Sequence, residues 1–175
     1  SYQPNFLATF GTEFSIKGFT LHALFDMRDG GLFYSGSKVS SQFNGTASTT
    51  LLKDRKAFIL ENSVDAEGKE NKLETNAYSY FRGAPASSFL VDASYLKFRE
   101  LALSYTLPKK SLGSIGVSDV TISIYGKNLK FWLPAENTFA DPEVGGVGGA
   151  SDAVGIETTT TPSQRSFGAE LRLKF

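Results

Sequence analysis

Residues 166–175 read SFGAELRLKF, and every second side chain in this stretch is apolar. The apolar residues are Phe167, Ala169, Leu171, Leu173 and Phe175. Because side chains alternate between the two faces of a β-strand, this pattern places all of them on one face. A tilted transmembrane strand needs about 9–11 residues, which is the length of this stretch. We therefore predict an amphipathic strand that faces lipid on one side and a polar lumen on the other.

Similar alternation occurs elsewhere in the chain, and the sequence predicts five strands in all. They cover residues 6–15, 19–27, 95–107, 119–129 and 166–175. Upstream in the third strand the apolar stripe contains Leu96 and Phe98, but downstream it continues at Leu101. Either a β-bulge near Arg99 shifts the register, or Lys97 and Arg99 lie at the membrane rim with their long side chains extended towards water.

The connections between the predicted strands alternate in length. Short turns follow the first and third strands, whereas long polar connections, residues 28–92 and 131–164, follow the second and fourth. In an antiparallel sheet this order places both long connections on one side, as in barrels with short periplasmic turns and long extracellular loops. Since about eight strands are needed to close the smallest barrel, we predict an all-β antiparallel fragment of a larger transmembrane barrel. The rival is a soluble antiparallel sandwich.

The composition gives no sign of catalysis or of nucleic-acid binding. The chain has 175 residues, with 18 basic and 18 acidic side chains and no cysteine, so its formal net charge is zero. It contains no apolar run of about 18 residues, the length that a transmembrane helix requires. His22 is the only histidine, and no partner residue stands at the spacing of a catalytic triad or a zinc site. We predict that the protein is not an enzyme and binds no metal or cofactor.

Aromatic residues of the long connections, with two acidic residues, are the candidate contacts for cargo or a partner protein. They are Tyr78, Tyr80, Phe81, Phe131, Trp132, Phe139, Asp141 and Glu143. Aromatic faces suit sugar rings and protein surfaces. The alternative is that the rings form an interfacial girdle or pack between loops, and that the acidic residues only position a loop.

Several segments carry a family resemblance through their order and spacing. The longest is DASYLKFRELALSYTLPKK at 92–110, and the others are IYGKNL at 124–129, DPE at 141–143 and RSFG at 165–168, followed by Phe175. Together they resemble the C-terminal region of SusC/RagA-like TonB-linked outer-membrane transporters. Glu100 departs from the family pattern, which usually has a neutral polar residue at that place.

The resemblance implies a barrel of about 22 strands with a lumen plugged by an N-terminal domain. Residues 1–175 would supply its C-terminal part, with the plug and the earlier strands absent. Such a protein lies in the outer membrane of a Gram-negative bacterium. It imports glycans or peptides together with a SusD-like surface lipoprotein, and TonB supplies the energy through the absent N-terminal region.

By the same resemblance, the strand at 166–175 would be a recognition signal for the barrel assembly machinery. The residues that would carry this signal are Phe167, Leu171, Leu173 and Phe175. The alternative to a transporter is a non-transporting, β-rich surface module with a binding or structural role.

Overall fold

The computed structural model describes residues 1–113, 116–144 and 154–175, and the chain divides into two compact units. The sheet unit comprises Ser1–Leu32, Asp92–Thr138 and Pro162–Phe175. The insertion unit comprises Phe33–Val91 and Phe139–Thr161. In chain order the strands and α-helices are β1 (Phe6–Ile16), β2 (Phe19–Asp29), β3 (Leu32–Ser35), α1 (Gly36–Phe43), β4 (Phe58–Ile59), β5 (Glu74–Thr75), α2 (Ala77–Arg82), β6 (Leu90–Asp92), β7 (Tyr95–Thr106), β8 (Asp119–Trp132), β9 (Ile156–Glu157) and β10 (Ser166–Lys174). Short 3-10 helices cover Ser48–Arg55, Ala86–Phe89 and Lys109–Ser111.

The sheet unit contains a five-stranded antiparallel sheet in the order β1-β2-β7-β8-β10. These are the five strands that the sequence predicts, and each begins at the predicted residue. The first hairpin turns at Lys17 and Gly18, whose φ angles of 48° and 86° lie in the left-handed region that glycine tolerates best. Because neighbouring strands are antiparallel, β2 and β8 run in the same direction. Both long connections therefore leave the sheet at the same ends of the strands, as predicted.

A β-bulge at Arg99 shifts the register of β7. Its two neighbours in β7 stand opposite the consecutive residues Phe25 and Leu24 of β2, so Arg99 has no Cα partner there. The register against β8 shifts at the same place. The bulge alternative is therefore confirmed. The rim alternative is wrong for Lys97, because its side chain is fully buried and its Nζ lies 4.3 Å from the centroid of the Phe131 ring.

One face of the sheet carries a broad apolar surface. Phe10, Phe25 and Phe98 stack across β1, β2 and β7, with successive ring centroids 5.1 Å and 4.5 Å apart. Large side chains nevertheless remain exposed on this face, including Phe14 at 61% and Ile124 at 58%. A contiguous exposed apolar surface of this kind marks contact with another protein surface or with a membrane.

The opposite face of the sheet is mainly polar. Neighbouring strands are joined there by pairs of hydroxyl groups with O···O distances of 2.8–3.0 Å, namely Ser15–Thr20, Ser104–Ser123 and Thr106–Thr121. His22 of β2 lies on this face opposite Glu13 of β1. The two faces thus have the contrasting chemistry that the period of two predicts.

The insertion unit folds around a small hydrophobic core of its own. Phe33, Ala77, Phe89 and Val91 are all buried. β3 is the central strand of a three-stranded sheet in the order β6-β3-β9, and β4 pairs with β5. The sequence indicates only polar connections here, so α1, α2 and these short strands are unpredicted features. No helix of the described residues has the length and apolar character needed to cross a membrane.

Candidate functional site

A buried glutamate joins the two segments of the insertion unit. β9 lies parallel to β3, with Glu157 opposite Ser35. The Glu157 side chain is 2% exposed and accepts hydrogen bonds from the hydroxyls of Ser35 (2.9 Å) and Ser37 (2.8 Å) and from the backbone N–H groups of Ser37 and Thr160 (both 3.0 Å). The backbones approach so closely that a Cβ at Gly36 would lie 2.7 Å from the Glu157 carbonyl oxygen, so this position requires glycine.

The hydrogen bonds keep this carboxylate charged. Burial by itself would raise the pKa of Glu157, but the hydrogen bonds from Ser37, Ser35 and Thr160 outweigh that effect and lower its pKa below the ordinary value. The Ser37 N–H belongs to the first turn of α1, where N–H groups without helical partners favour a negative charge. Glu157 therefore fixes the start of α1, whose other end borders a cavity.

Helix α2 presents aromatic side chains that the sequence singles out. The Asn76 side chain caps this helix by accepting a hydrogen bond from the Ser79 N–H at 2.9 Å. Tyr78 is 56% exposed and accepts a hydrogen bond from Arg82, one turn later. The Arg82 guanidinium also lies 4.9 Å from the ring centroid of Tyr78 and 4.6 Å from that of Phe43 in α1. These contacts connect the two helices.

Tyr80 and Phe81 belong to a second aromatic group. Their ring centroids are 5.1 Å apart in an edge-to-face arrangement, and Phe58 of β4 lies 6.4 Å from Tyr80. The structure thus brings three predicted residues onto one helix but divides them between two groups. Sequence reasoning missed Arg82, although its spacing of four residues from Tyr78 is a signal for a contact along a helix.

A cavity of about 490 Å³ lies beside Phe43 and Tyr78 in the insertion unit. It is lined by Gln42, Phe43, Asn44, Gly45, Thr50, Arg55, Asn76, Ala77 and Tyr78. Its walls are hydrogen-bonded to one another, since Arg55 Nη2 and the Thr50 hydroxyl both donate to the Gly45 carbonyl oxygen, at 2.8 Å and 3.1 Å. Small-molecule sites commonly have volumes of about 300–1,000 Å³, so the cavity is large enough for a ligand.

The segment that brings Arg55 to this cavity has an unusual backbone. Lys53, Asp54 and Arg55 have φ angles of 48°, 54° and 62°, all in the left-handed region. Each such residue costs on the order of 1–3 kcal/mol and persists only where its surroundings hold it. The Arg55–Gly45 hydrogen bond is one interaction that holds this segment, whereas the 3.3 Å ion pair between Lys53 and Glu61 is exposed and contributes little.

The predicted residues of the second connection are divided between the two units. Phe131 and Trp132 are the last residues of β8, which extends beyond its predicted end, so they are strand residues rather than loop residues. Trp132 is exposed, whereas Phe131 contacts Lys97. Phe139 lies in the insertion unit, with its ring centroid 5.8 Å from the Nζ of Lys38.

Asp141 positions a turn in the insertion unit. Its buried carboxylate accepts a hydrogen bond from the Glu143 N–H at 3.1 Å, and its carbonyl oxygen accepts one from the Val144 N–H at 3.1 Å. This geometry supports the alternative that the acidic residue holds the loop in place. The Glu143 side chain is exposed.

A charged cluster lies on the polar face of the sheet beside the bulge. Arg99 forms an ion pair with Asp26 of β2, and Asp26 also accepts a hydrogen bond from the Thr9 hydroxyl at 2.8 Å. Lys97 stands opposite Asp26 in the register. From the sequence, a position at the membrane rim is only one of two alternatives for these cations, and their acidic partner Asp26 becomes visible only once the strands are paired.

The predicted assembly residues Phe167, Leu171 and Leu173 lie on β10, an edge strand of the sheet, and Phe175 directly follows its last residue. β1 and β10 are its two edges, and each pairs with one neighbour among the described residues. Phe167, Leu171, Leu173 and Phe175 are all exposed. Within β10, Glu170 lies on the face opposite to that of Phe167 and Leu171, as expected. Their role in assembly stays a prediction.

Comparisons with known proteins agree with this geometry. No protein-family model matches the chain. Two proteins of Formosa agariphila are similar in sequence: TonB-dependent receptor P3 is 24% identical over 98% of the chain, and TonB-dependent receptor P26 is 28% identical over 52% of it. The matched regions make up 16% and 9% of those receptors.

Solved structures of RagAB match the whole chain in fold. The RagAB peptide importer in its "open-open" and "closed-closed" states gives TM-scores of 0.68 and 0.69, each at 20% sequence identity. The chain covers 18% of the matched chain in each structure. It therefore spans less than a fifth of the length of these relatives, and the predicted fold class is confirmed.

Proposed function

We propose that the protein carrying this SusC/RagA-like chain is a TonB-dependent transporter of the outer membrane of a Gram-negative bacterium, and not an enzyme. The five-stranded sheet forms part of its barrel wall, and the insertion unit belongs to the long connections between the strands. The observation that carries the proposal is the five-stranded antiparallel sheet, which has an exposed apolar face on one side and a mainly polar face on the other.

Lipid is the medium that suits such a sheet. Apolar surface left in water forgoes about 25 cal/mol of stabilisation per Å², whereas hydrocarbon solvates it without that loss. In lipid, however, the open edges at β1 and β10 need further strands, because each unsatisfied backbone group costs several kcal/mol there. Both requirements are met when the sheet is one arc of a larger closed barrel.

The cargo and the partners are further parts of the proposal. RagAB is a peptide importer, and this protein would likewise take up peptides or glycans together with a SusD-like lipoprotein. The remaining strands and a plug would complete the barrel, and TonB would supply the energy. The insertion unit supports a role in recognition, because a loop with its own buried core presents a fixed surface.

Our preferred contacts are Trp132, at the end of β8, and Phe139, in the long connection that follows it. Aromatic residues are enriched in interface cores, and the Trp132 side chain is exposed. The alternative, in which these rings only pack against neighbouring parts of the same barrel, makes a different prediction when the connection is shortened.

Uptake by cells that produce the complete protein tests the proposal. A strain without the gene should lose uptake of labelled peptides or glycans, and the wild-type gene should restore it. If uptake of all cargo continues in that strain, the transport function is wrong and the non-transporting surface module is favoured.

A shortened variant tests the role of the second connection. Replacing residues 133–164 by a short turn, together with Trp132→Ala, should preserve the amount of inserted protein but reduce both cargo uptake and co-purification of the lipoprotein. A control variant has a small epitope inserted between Lys17 and Gly18, at the ends of the strands opposite to the long connections. It should behave like the wild type. If uptake and co-purification both survive the shortening, the interaction role is refuted.

A further inference from the structure

We propose that the cavity between α1 and α2 binds an organic carboxylate that also carries a ring or an apolar group. The C-terminal residue of a peptide and a uronic-acid unit of a glycan both have this chemistry. The inference rests on the proposed function and deepens it, because it names the class of cargo that the insertion unit recognises.

The charge of the cavity favours an anion. Arg55 is the one charged residue among the described residues that line it, and none of them is acidic. Arg82 adds a second positive charge beside the wall, over the ring of Tyr78. A guanidinium group binds a carboxylate well because its planar fork can donate two parallel hydrogen bonds.

Donor groups remain available at this wall. A guanidinium has five N–H groups, and the two hydrogen bonds that Arg55 donates to other described residues, Gly45 and Thr50, both start at Nη2. Asn44 also lines the cavity, and among the described residues only its backbone takes part in hydrogen bonds. Both side chains can therefore contact a ligand without breaking an internal bond.

The aromatic rings of the cavity wall suit the ring or apolar group of the proposed ligand. The rings of Phe43 and Tyr78 lie 6.4 Å apart, and both side chains are exposed. Arg82 lies over both rings and connects the helices that carry them. Such rings stack on the apolar face of a sugar or on an apolar side chain, which a simple anion such as acetate does not offer.

The site is held in place before any ligand arrives. Glu157 fixes the start of α1 through Ser35 and Ser37, and near its other end the Gln42 side chain donates to the Thr49 hydroxyl at 3.1 Å. Preorganisation of this kind reduces the ordering cost of binding.

Calorimetric titration of the complete, detergent-solubilised protein tests the inference. One pair of probes is an acetylated tripeptide that ends in phenylalanine, with a free or an amidated C-terminus; the other is trigalacturonate and its methyl ester. In at least one pair the carboxylate should bind tenfold or more tightly than its neutral counterpart, and that pair identifies the source. If neither carboxylate binds at millimolar concentration, or neither pair differs, the inference is overturned.

Variants locate the binding in this cavity. Arg55→Gln removes the cation and Asn44→Asp adds an anion at nearly constant size, so each should weaken carboxylate binding by about ten- to a hundredfold. Lys56→Gln removes the same charge outside the lining and should bind like the wild type. Asn44→Asp remains informative if loss of the Arg55–Gly45 hydrogen bond disturbs the wall. Wild-type affinity in both cavity variants would overturn the assignment.

Uptake measured alongside separates the two proposals. If cargo uptake continues but carboxylate binding is absent, the cavity assignment alone is wrong. If the carboxylate binds in the cavity but deletion of the gene leaves uptake unchanged, the transport function alone is wrong.

Discussion

Both units of this chain expose some large apolar side chains, but the insertion unit also packs phenylalanine rings into a core. In the insertion unit Phe33 and Phe89 are buried, whereas in the sheet unit the equally apolar Phe14 and Ile124 are exposed. An apolar side chain in water must find other apolar side chains, but lipid is itself as apolar as leucine. The contrast supports two surroundings for one chain, with water around the insertion unit and lipid at one face of the sheet.

The largest expected effect concerns the edge of the sheet. Deleting residues 171–175 removes the β10 partners of Ile122 and Val120 and leaves that edge of β8 open in lipid. Because unsatisfied backbone groups cost several kcal/mol each in lipid, most of the membrane-inserted protein should disappear. The matched control deletes residues 65–69 at a turn of the insertion unit and should leave the amount of membrane-inserted protein unchanged. Equal amounts of both variants in outer-membrane fractions would contradict the assignment of lipid to the sheet and of water to the insertion unit.

The next effect separates the two kinds of apolar side chain. Phe33→Ala should destabilise the insertion unit by about 3–5 kcal/mol, because it leaves a cavity in a core. Phe14→Ala should cost less than about 1 kcal/mol, since lipid can fill the space. Hydrogen exchange and denaturant unfolding of the complete protein in detergent measure both. A similar cost at the two positions would show that the Phe14 face packs against protein rather than lipid.

Charge placed on the two faces of β8 gives a sharper version of the same comparison. Ile122→Arg should cost about 2–4 kcal/mol if the residue lies near the bilayer midplane. Thr121→Arg, one position away on the polar face, should cost only about 1–2 kcal/mol for the lost hydrogen bonds to Thr106 and Asp119. Folding free energies in lipid vesicles report the difference. If both variants lose stability equally, the lipid-facing assignment is wrong.

The smallest expected effect lies in the insertion unit and depends on pH. The folded-state pKa of Glu157 is lowered from an ordinary value of 4.5, so its carboxylate stabilises the fold above that pH, and the stabilisation is lost as the pH falls through the lowered pKa. Glu157→Gln should cost about 1–3 kcal/mol near pH 7 and remove most of this pH dependence. Hydrogen-exchange rates of the backbone amides of α1, measured as a function of pH, report this stability cost.

A surface carboxylate provides the control for this prediction. Glu61→Gln removes an exposed partner of Lys53 and should change the stability by less than about 1 kcal/mol. Wild-type α1 amides that are protected equally well near pH 3 and pH 7 would contradict the assigned role of Glu157.

The sheet could be predicted from the sequence because each of its faces meets one kind of surroundings over the whole strand. The alternation from Phe167 to Phe175 is set locally and needs no knowledge of neighbouring strands. The sequence alone does not decide between a bulge and a rim cation, because Arg99 is distinguished only by the register against β2 and by its pairing with Asp26.

The insertion unit could not be predicted in the same way. Helix α1 has the sequence GSKVSSQF, which offers little apolar surface, and its start is held by Glu157 from 120 positions away. Aromatic composition indicated Tyr78, but Arg55 reaches the cavity through left-handed backbone at residues other than glycine, for which the sequence gives no signal.

The pairing of Ser35 with Glu157 also has a consequence in time. These residues are 122 positions apart, and β7 and β8 lie between them in the chain. A contact between such distant positions forms late, because its loop-closure entropy must first be offset by other contacts. We therefore expect completion of the insertion unit to be a late folding step, so a partner that binds only the completed unit would select finished barrels over partly assembled ones.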